Sequence, residues 1–183
     1  MKVIVAITGA SGAIYARQCI EQLISSEQVE HIALIISDKG REVLAYEEVE
    51  LPSSEKIQRY DNGDMFSPVA SGSAEWDTMI IVPASMGSVG RIASGVSLSL
   101  IERAADVMLK ERRRLIVVVR ETPYSLIHLR NMTTLTEAGA IILPASPSFY
   151  SHPQSIEQAT LTVVERVIKL AGISMPHHSF QGR

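Results

Sequence analysis

The sequence predicts one α/β domain, a doubly wound parallel sheet covered by helices on both faces. Three observations carry that expectation. Short apolar, β-branched runs recur along the 183 residues, at Val3–Thr8, His31–Ile36, Thr78–Val82, Leu115–Val119 and Ala140–Leu143. They are continuous rather than alternating, as strands buried on both faces require. Amphipathic helical stretches separate them, and glycine or serine stands where strand gives way to helix. Together these describe a three-layer sandwich of the Rossmann-like or flavodoxin-like kind, whose ligands sit beyond the carboxyl ends of the strands.

The elements follow in order. The first run ends at Gly9-Ala10-Ser11-Gly12, and a helical pattern runs from about Ala13 to Ser25. His31–Ile36 leads through Ser37 into a helix over Asp38–Glu47. Leu51–Ser73, rich in serine and interrupted by proline and glycine, has no clear period and reads as a long functional loop. Thr78–Val82 leads into a helix from Ser85, and a further helix surrounds Ile101–Lys110. Arg112-Arg113-Arg114 reads as a surface turn before Leu115–Val119. After Ala140–Leu143 the last helix carries an apolar stripe of Ile156, Ala159, Val163, Val167 and Leu170. The domain is expected to span 1–172, with 173–183 a tail that has lost the helical pattern and projects or frays.

Composition narrows the function. Charged residues make up 20% and the formal net charge is -3, so there is no broad cationic field for nucleic acid. No apolar run is long enough to span a bilayer, which predicts a soluble protein. Cys19 is the only cysteine, so no intramolecular disulfide forms and a cytoplasmic location is expected. The histidines are scattered and show no metal-ligand spacing, so no metal is expected.

Candidate chemistry gathers at the strand ends. Gly9-Ala10-Ser11-Gly12 opens a helix, where unpaired N–H groups and the helix dipole favour an anion or an electron-rich ring edge. Tyr15 stands where a dinucleotide fingerprint needs a small residue, which weakens a nicotinamide reading. Ser37 and Ser85-Met86-Gly87-Ser88 place hydroxyls at two more helix starts. Each alone is an ordinary N-cap, but jointly they suit a phosphate. Asp38 keeps a ribose-binding carboxylate in play. Arg103 and Lys110 share a helix side with Asp106, which also fits a solvated face with an Arg103–Asp106 pair. Arg120-Glu121 emerges from a central strand, where a purely structural role is harder to supply. Tyr150 lies at the same edge, and Arg166 borders the apolar stripe of the last helix.

Read together, the segments resemble the UbiX-like flavin prenyltransferases, a family that includes phenylacrylic acid decarboxylase-like proteins and partners of 3-octaprenyl-4-hydroxybenzoate carboxy-lyase. The matching pieces are Thr8–Ala13, Ala70-Ser71-Gly72-Ser73, Arg103–Val107 running on to Leu109–Arg113, and Arg120-Glu121-Thr122-Pro123. They continue through Ile127-His128-Leu129, Asn131-Met132, Gly139-Ala140, Phe149-Tyr150 and Pro153-Gln154-Ser155. The resemblance implies that FMN is held by Gly9, Ala10, Ser11, Ser37, Ser85, Met86, Gly87, Ser88 and Arg120. It implies that dimethylallyl phosphate is held by Ser71, Gly72, Arg103, Lys110, Glu121, Tyr150 and Arg166. Glu121, Glu47 and Ser11 are implied in catalysis, with Glu47 a proton-handling or orienting carboxylate near the flavin. The implied product is prenylated FMN, the cofactor of UbiD-type decarboxylases in ubiquinone synthesis or aromatic-acid decarboxylation. The implied assembly is a homo-oligomer, commonly a dodecamer, with sites at subunit junctions. The chain departs from the family at Asp64, where relatives often carry an aromatic, at Ala84, often cysteine, and over Ser97-Leu98-Ser99. Two rival readings are a flavin-dependent cysteine decarboxylase, which would need a histidine base, and a non-enzymatic flavin-binding accessory subunit.

Overall fold

Residues 1–174 are described by a computed structural model. Its strands are β1 (Lys2–Ile7), β2 (His31–Ile36), β3 (Ile57–Tyr60), β4 (Thr78–Ala84), β5 (Arg114–Val119) and β6 (Ile141–Pro144). They form one sheet in the order β3-β2-β1-β4-β5-β6, and every neighbouring pair is parallel. The order turns back between β1 and β4, so a crevice opens beyond their carboxyl ends.

Both faces are covered, which is why the central strands β1, β2, β4 and β5 carry nearly continuous apolar runs. Val3, Val5, Leu34, Ile80, Val82, Ile116 and Val118 point to one face, against α1 (Ala13–Ser25) and α6 (Ile156–Leu170). Ile4, Ala6, Met79, Ile81, Leu115 and Val117 point to the other, against α3 (Met86–Ala93), α4 (Leu100–Lys110) and α5 (Leu126–Glu137). Each such side chain contributes about 1.5–3 kcal/mol by leaving water. A further helix, α2 (Asp38–Tyr46), adds Leu44 to the first face. No helix among the described residues is long and apolar enough to cross a membrane.

The structure corrects several expectations. Leu51–Ser73 is not all loop: Ile57–Tyr60 is the edge strand β3, paired to β2. Gln58 and Arg59 are exposed there, so the strand lacks the apolar run that marks its neighbours. The buried stripe of α6 is Thr160, Val163, Val164, Val167 and Ile168, whereas Ile156 is 71% exposed. Ser155 caps the helix, accepting from Gln158 N, and the first turn of α6 is exposed. The arginine turn is tethered, with Arg113 donating to the Gly72 carbonyl and Arg114 to that of Ala171. Ile173 is buried and donates its N–H to Ile168, one residue beyond the expected domain end. Residues 175–183 of the expected tail lie outside the described residues.

Candidate flavin and prenyl phosphate site

Short bonds bring the carboxyl ends of β1, β2 and β4 together. Thr8 Oγ1 donates to the Pro83 carbonyl at 2.9 Å and accepts from Ser85 N at 2.8 Å. Ser37 N donates to the Ile7 carbonyl at 3.0 Å. Gly40 lets α2 lie against that carbonyl, for a Cβ at this position would stand 2.7 Å from the Ile7 oxygen. Ser37 and Ser85 therefore stand as N-caps of α2 and α3. Their hydroxyl oxygens accept from Gly40 N at 3.0 Å and Ser88 N at 3.4 Å, and each keeps a proton to donate.

A cavity of about 480 Å³ opens between these caps, and Gly9, Ser37, Ser85 and Ser88 line it with Asp38, Lys39, Asn62, Arg91 and Glu102. Two helix N-termini and several hydroxyls face one space of small-molecule size, an arrangement able to receive an anion. Of the other expected flavin residues, Ala10 and Met86 are buried, while Ser11 and Gly87 are exposed. Arg120 is exposed at the end of β5, its N–H donating to the Ala84 carbonyl. The carboxylate of Asp38, which also lines this cavity, pairs with Arg41 at 3.1 Å. Among the described residues, no histidine lines the cavity.

Glu47 sits at the C-cap of α2, as its sequence context suggests, but its carboxylate reaches the glycine turn. It accepts from Gly12 N at 2.9 Å and Ala13 N at 2.7 Å, closing the N-terminus of α1. Burial pushes its carboxyl up, but the Ser11 hydroxyl, the Gly12 and Ala13 amides and Arg120 outweigh that and hold it below the usual carboxylate range. Burial likewise raises the Tyr15 phenol, and Arg120 opposes it. Arg120, Glu47 and Tyr15 thus share one electrostatic neighbourhood at the sheet edge.

The expected prenyl phosphate residues divide into two groups. Ser71, Gly72, Arg103 and Lys110 gather where the 67–74 segment crosses α4. Arg103 Nε donates to the Ala70 carbonyl at 3.2 Å, and its Nη1 pairs with Asp106 at 2.7 Å, the i,i+3 pair considered from sequence. Lys110 pairs with Glu111, and a Cβ on Gly72 would stand 3.1 Å from Lys110 Nζ. Tyr150 follows β6 and Arg166 lies on α6, both exposed. Because α6 packs along α1 and α4 covers the opposite face, one chain does not bring the two groups together. Glu121 is exposed beyond β5 and accepts from Thr122 N at 2.9 Å.

Residues 1–171 match the family model described as Flavoprotein. The flavin prenyltransferase UbiX of Thermoplasma acidophilum is 44% identical over 176 residues, covering 94% of this chain and 96% of its own. The chain belongs to the UbiX-like flavin prenyltransferases. The crystal structure of AnUbiX in complex with FMN and dimethylallyl pyrophosphate is 38% identical, covers 98% of both chains and superposes with a TM-score of 0.87. A dodecameric FMN-dependent UbiX-like decarboxylase of Escherichia coli O157:H7 is 34% identical, with complete coverage of both chains and a TM-score of 0.92. In this UbiX-like chain Asp64 accepts from Phe66 N at 3.0 Å, and Phe66 is 99% exposed.

Sequence reasoning missed Lys39, Asn62, Arg91 and Glu102 in the cavity wall. One signal was present: Ser99-Leu100-Ile101-Glu102 has the spacing of a capping box, and α4 begins with one.

Proposed function

We propose that this chain transfers the dimethylallyl group of dimethylallyl phosphate to reduced FMN, giving prenylated FMN. The observation that carries the reading is the convergence of the α2 and α3 caps on one cavity at the sheet's switch point. Ser37, Ser85 and Ser88 donate to the flavin phosphate, and Gly9, Ala10, Ser11, Met86, Gly87 and Arg120 border the rest of the flavin. When bound, the reduced flavin supplies an electron-rich ring to the prenyl carbon.

The protein's own part is electrostatic. Arg103, Lys110 and Arg166 offset the charge that grows on the departing phosphate, while Ser71, Gly72 and Tyr150 fix its position. Since Arg166 and Arg103 sit on opposite faces of one chain, the site is completed by a second copy in a homo-oligomer, and a dodecamer suits this. Glu121 and Ser11 move protons at the ring edge. The carboxylate of Glu47, held below the usual carboxylate range, holds the glycine turn, which suits the orienting role rather than the proton-handling one. The working unit is residues 1–172, the setting the cytoplasm, and the product passes to a UbiD-type decarboxylase.

Release of inorganic phosphate tests the reaction. With dimethylallyl phosphate, the protein releases phosphate in step with flavin consumed when FMN is reduced, and releases none with oxidised FMN. Release independent of flavin would mark a phosphatase instead.

A further inference from the structure

Arg91 and Glu102 form an ion pair, its carboxylate buried, in the wall of the flavin cavity that no role above uses. Glu102 is the third residue of α4, and its side chain is only 4% exposed, against 44% for Arg91. One carboxylate oxygen accepts from Leu98 N at 2.8 Å and Ser99 N at 3.0 Å, and the other takes Arg91 Nε. The guanidinium is therefore gripped by its Nε edge. Its terminal nitrogens lie over the first turn of α3: Nη2 donates to Ser88 Oγ at 3.3 Å, and Nη1 stands 3.4 Å from where a Gly87 Cβ would be.

Arginine has no acceptor, so Ser88 Oγ must accept in that bond. Its proton is then directed to Ser85 Oγ, 3.2 Å away, or into the cavity. The remaining charged side chains of the wall, Asp38 and Lys39, pair along α2 with Arg41 and Glu42. Of the wall's two cations, Arg91 is the one fixed by a buried carboxylate.

We propose that Arg91 is a further flavin-binding residue, its guanidinium fixed by Glu102 so that the terminal nitrogens and the Ser88 hydroxyl together receive the phosphate of FMN. The proposal rests on the flavin reading of this cavity. Glu102 is a positioning residue: it touches no ligand but holds the fork at the angle that bidentate recognition of phosphate needs.

Affinities for FMN and riboflavin, which differ only in the phosphate, test this through quenching of flavin fluorescence. Arg91→Ala is expected to weaken FMN about 10–100-fold, the loss of a charge-assisted phosphate contact, and to leave riboflavin within about twofold. The double variant Arg91→Met/Glu102→Gln removes both charges at once and leaves no uncompensated carboxylate, so it folds if the single variant does not. It is expected to show the same collapse of FMN preference. Arg91→Lys keeps the charge but not the fork, and is expected to fall between. An unchanged ratio of FMN to riboflavin affinity in these variants would overturn the proposal. If the native protein itself binds neither flavin, the reading of the cavity falls and the proposal with it.

Discussion

Lys110→Ala and Arg166→Ala, each strongly impaired alone, are expected to restore prenyl transfer to one another when their subunits are dissociated, mixed and reassembled. Each single change is expected to lower kcat/KM about 100–1000-fold, the cost of removing a preorganised charge from the transition state. FMN affinity stays within about twofold, because neither residue lines the cavity between the α2 and α3 caps. The complementation follows from topology. Lys110 ends α4 on one face of the sheet and Arg166 rises from α6 on the other, so a complete site takes one from each of two chains. In an equal mixture about a quarter of the sites receive both native side chains, which sets the expected recovery. Steady-state rates on the mixed oligomer measure it, and a mixture no more active than its parents places both residues in the same chain's site, or in none.

Glu47→Gln is expected to loosen the glycine turn and destabilise the fold together. The carboxylate closes α1 by accepting from Gly12 and Ala13, and a charge-assisted pair of this kind is worth about 1.5–3 kcal/mol. An amide has one acceptor oxygen and no charge, so part of that is lost and FMN binding weakens as the turn relaxes. The pH dependence follows from the depressed carboxyl of Glu47 in the fold. A depressed folded value means the stabilisation is complete above the unfolded value of about 4.3 and fades as pH falls through the folded one. Denaturant titrations of native protein and variant should therefore differ most near neutral pH and converge in acid. A gap that widened as pH fell would mean that Glu47 is protonated in the native state.

Much of the fold was legible because both faces of the sheet are buried. Val3–Ile7 and Leu115–Val119 have no polar side to confuse the pattern, and Ser37 and Ser85 mark the helix starts that line the cavity. The elements that escaped are those whose burial is partial. β3 is an edge strand with Gln58 and Arg59 exposed, and α5 buries Leu135 while Leu126, Ile127 and Leu129 face outward. An apolar helix face left uncovered in one chain gives no single-face period to read.

The site divides along the same line. Local motifs revealed the caps, since an N-cap and its bond partner lie within a few residues. Glu47 is different: it reaches the glycine turn from 35 residues away, and nothing in Tyr46-Glu47-Glu48 announces the contact. Arg91 and Glu102 are 11 residues apart on separate helices and meet only because α3 and α4 cover the same face of the sheet. Arg103 and Arg166 lie further still from any local pattern, on helices that cover opposite faces of the sheet.

The most direct measurement is the mass and absorbance of the flavin recovered after anaerobic incubation of the protein with reduced FMN and dimethylallyl phosphate. The account predicts a flavin heavier by one prenyl unit, with a spectrum unlike that of FMN. Recovery of unaltered FMN from folded, flavin-binding protein would contradict it.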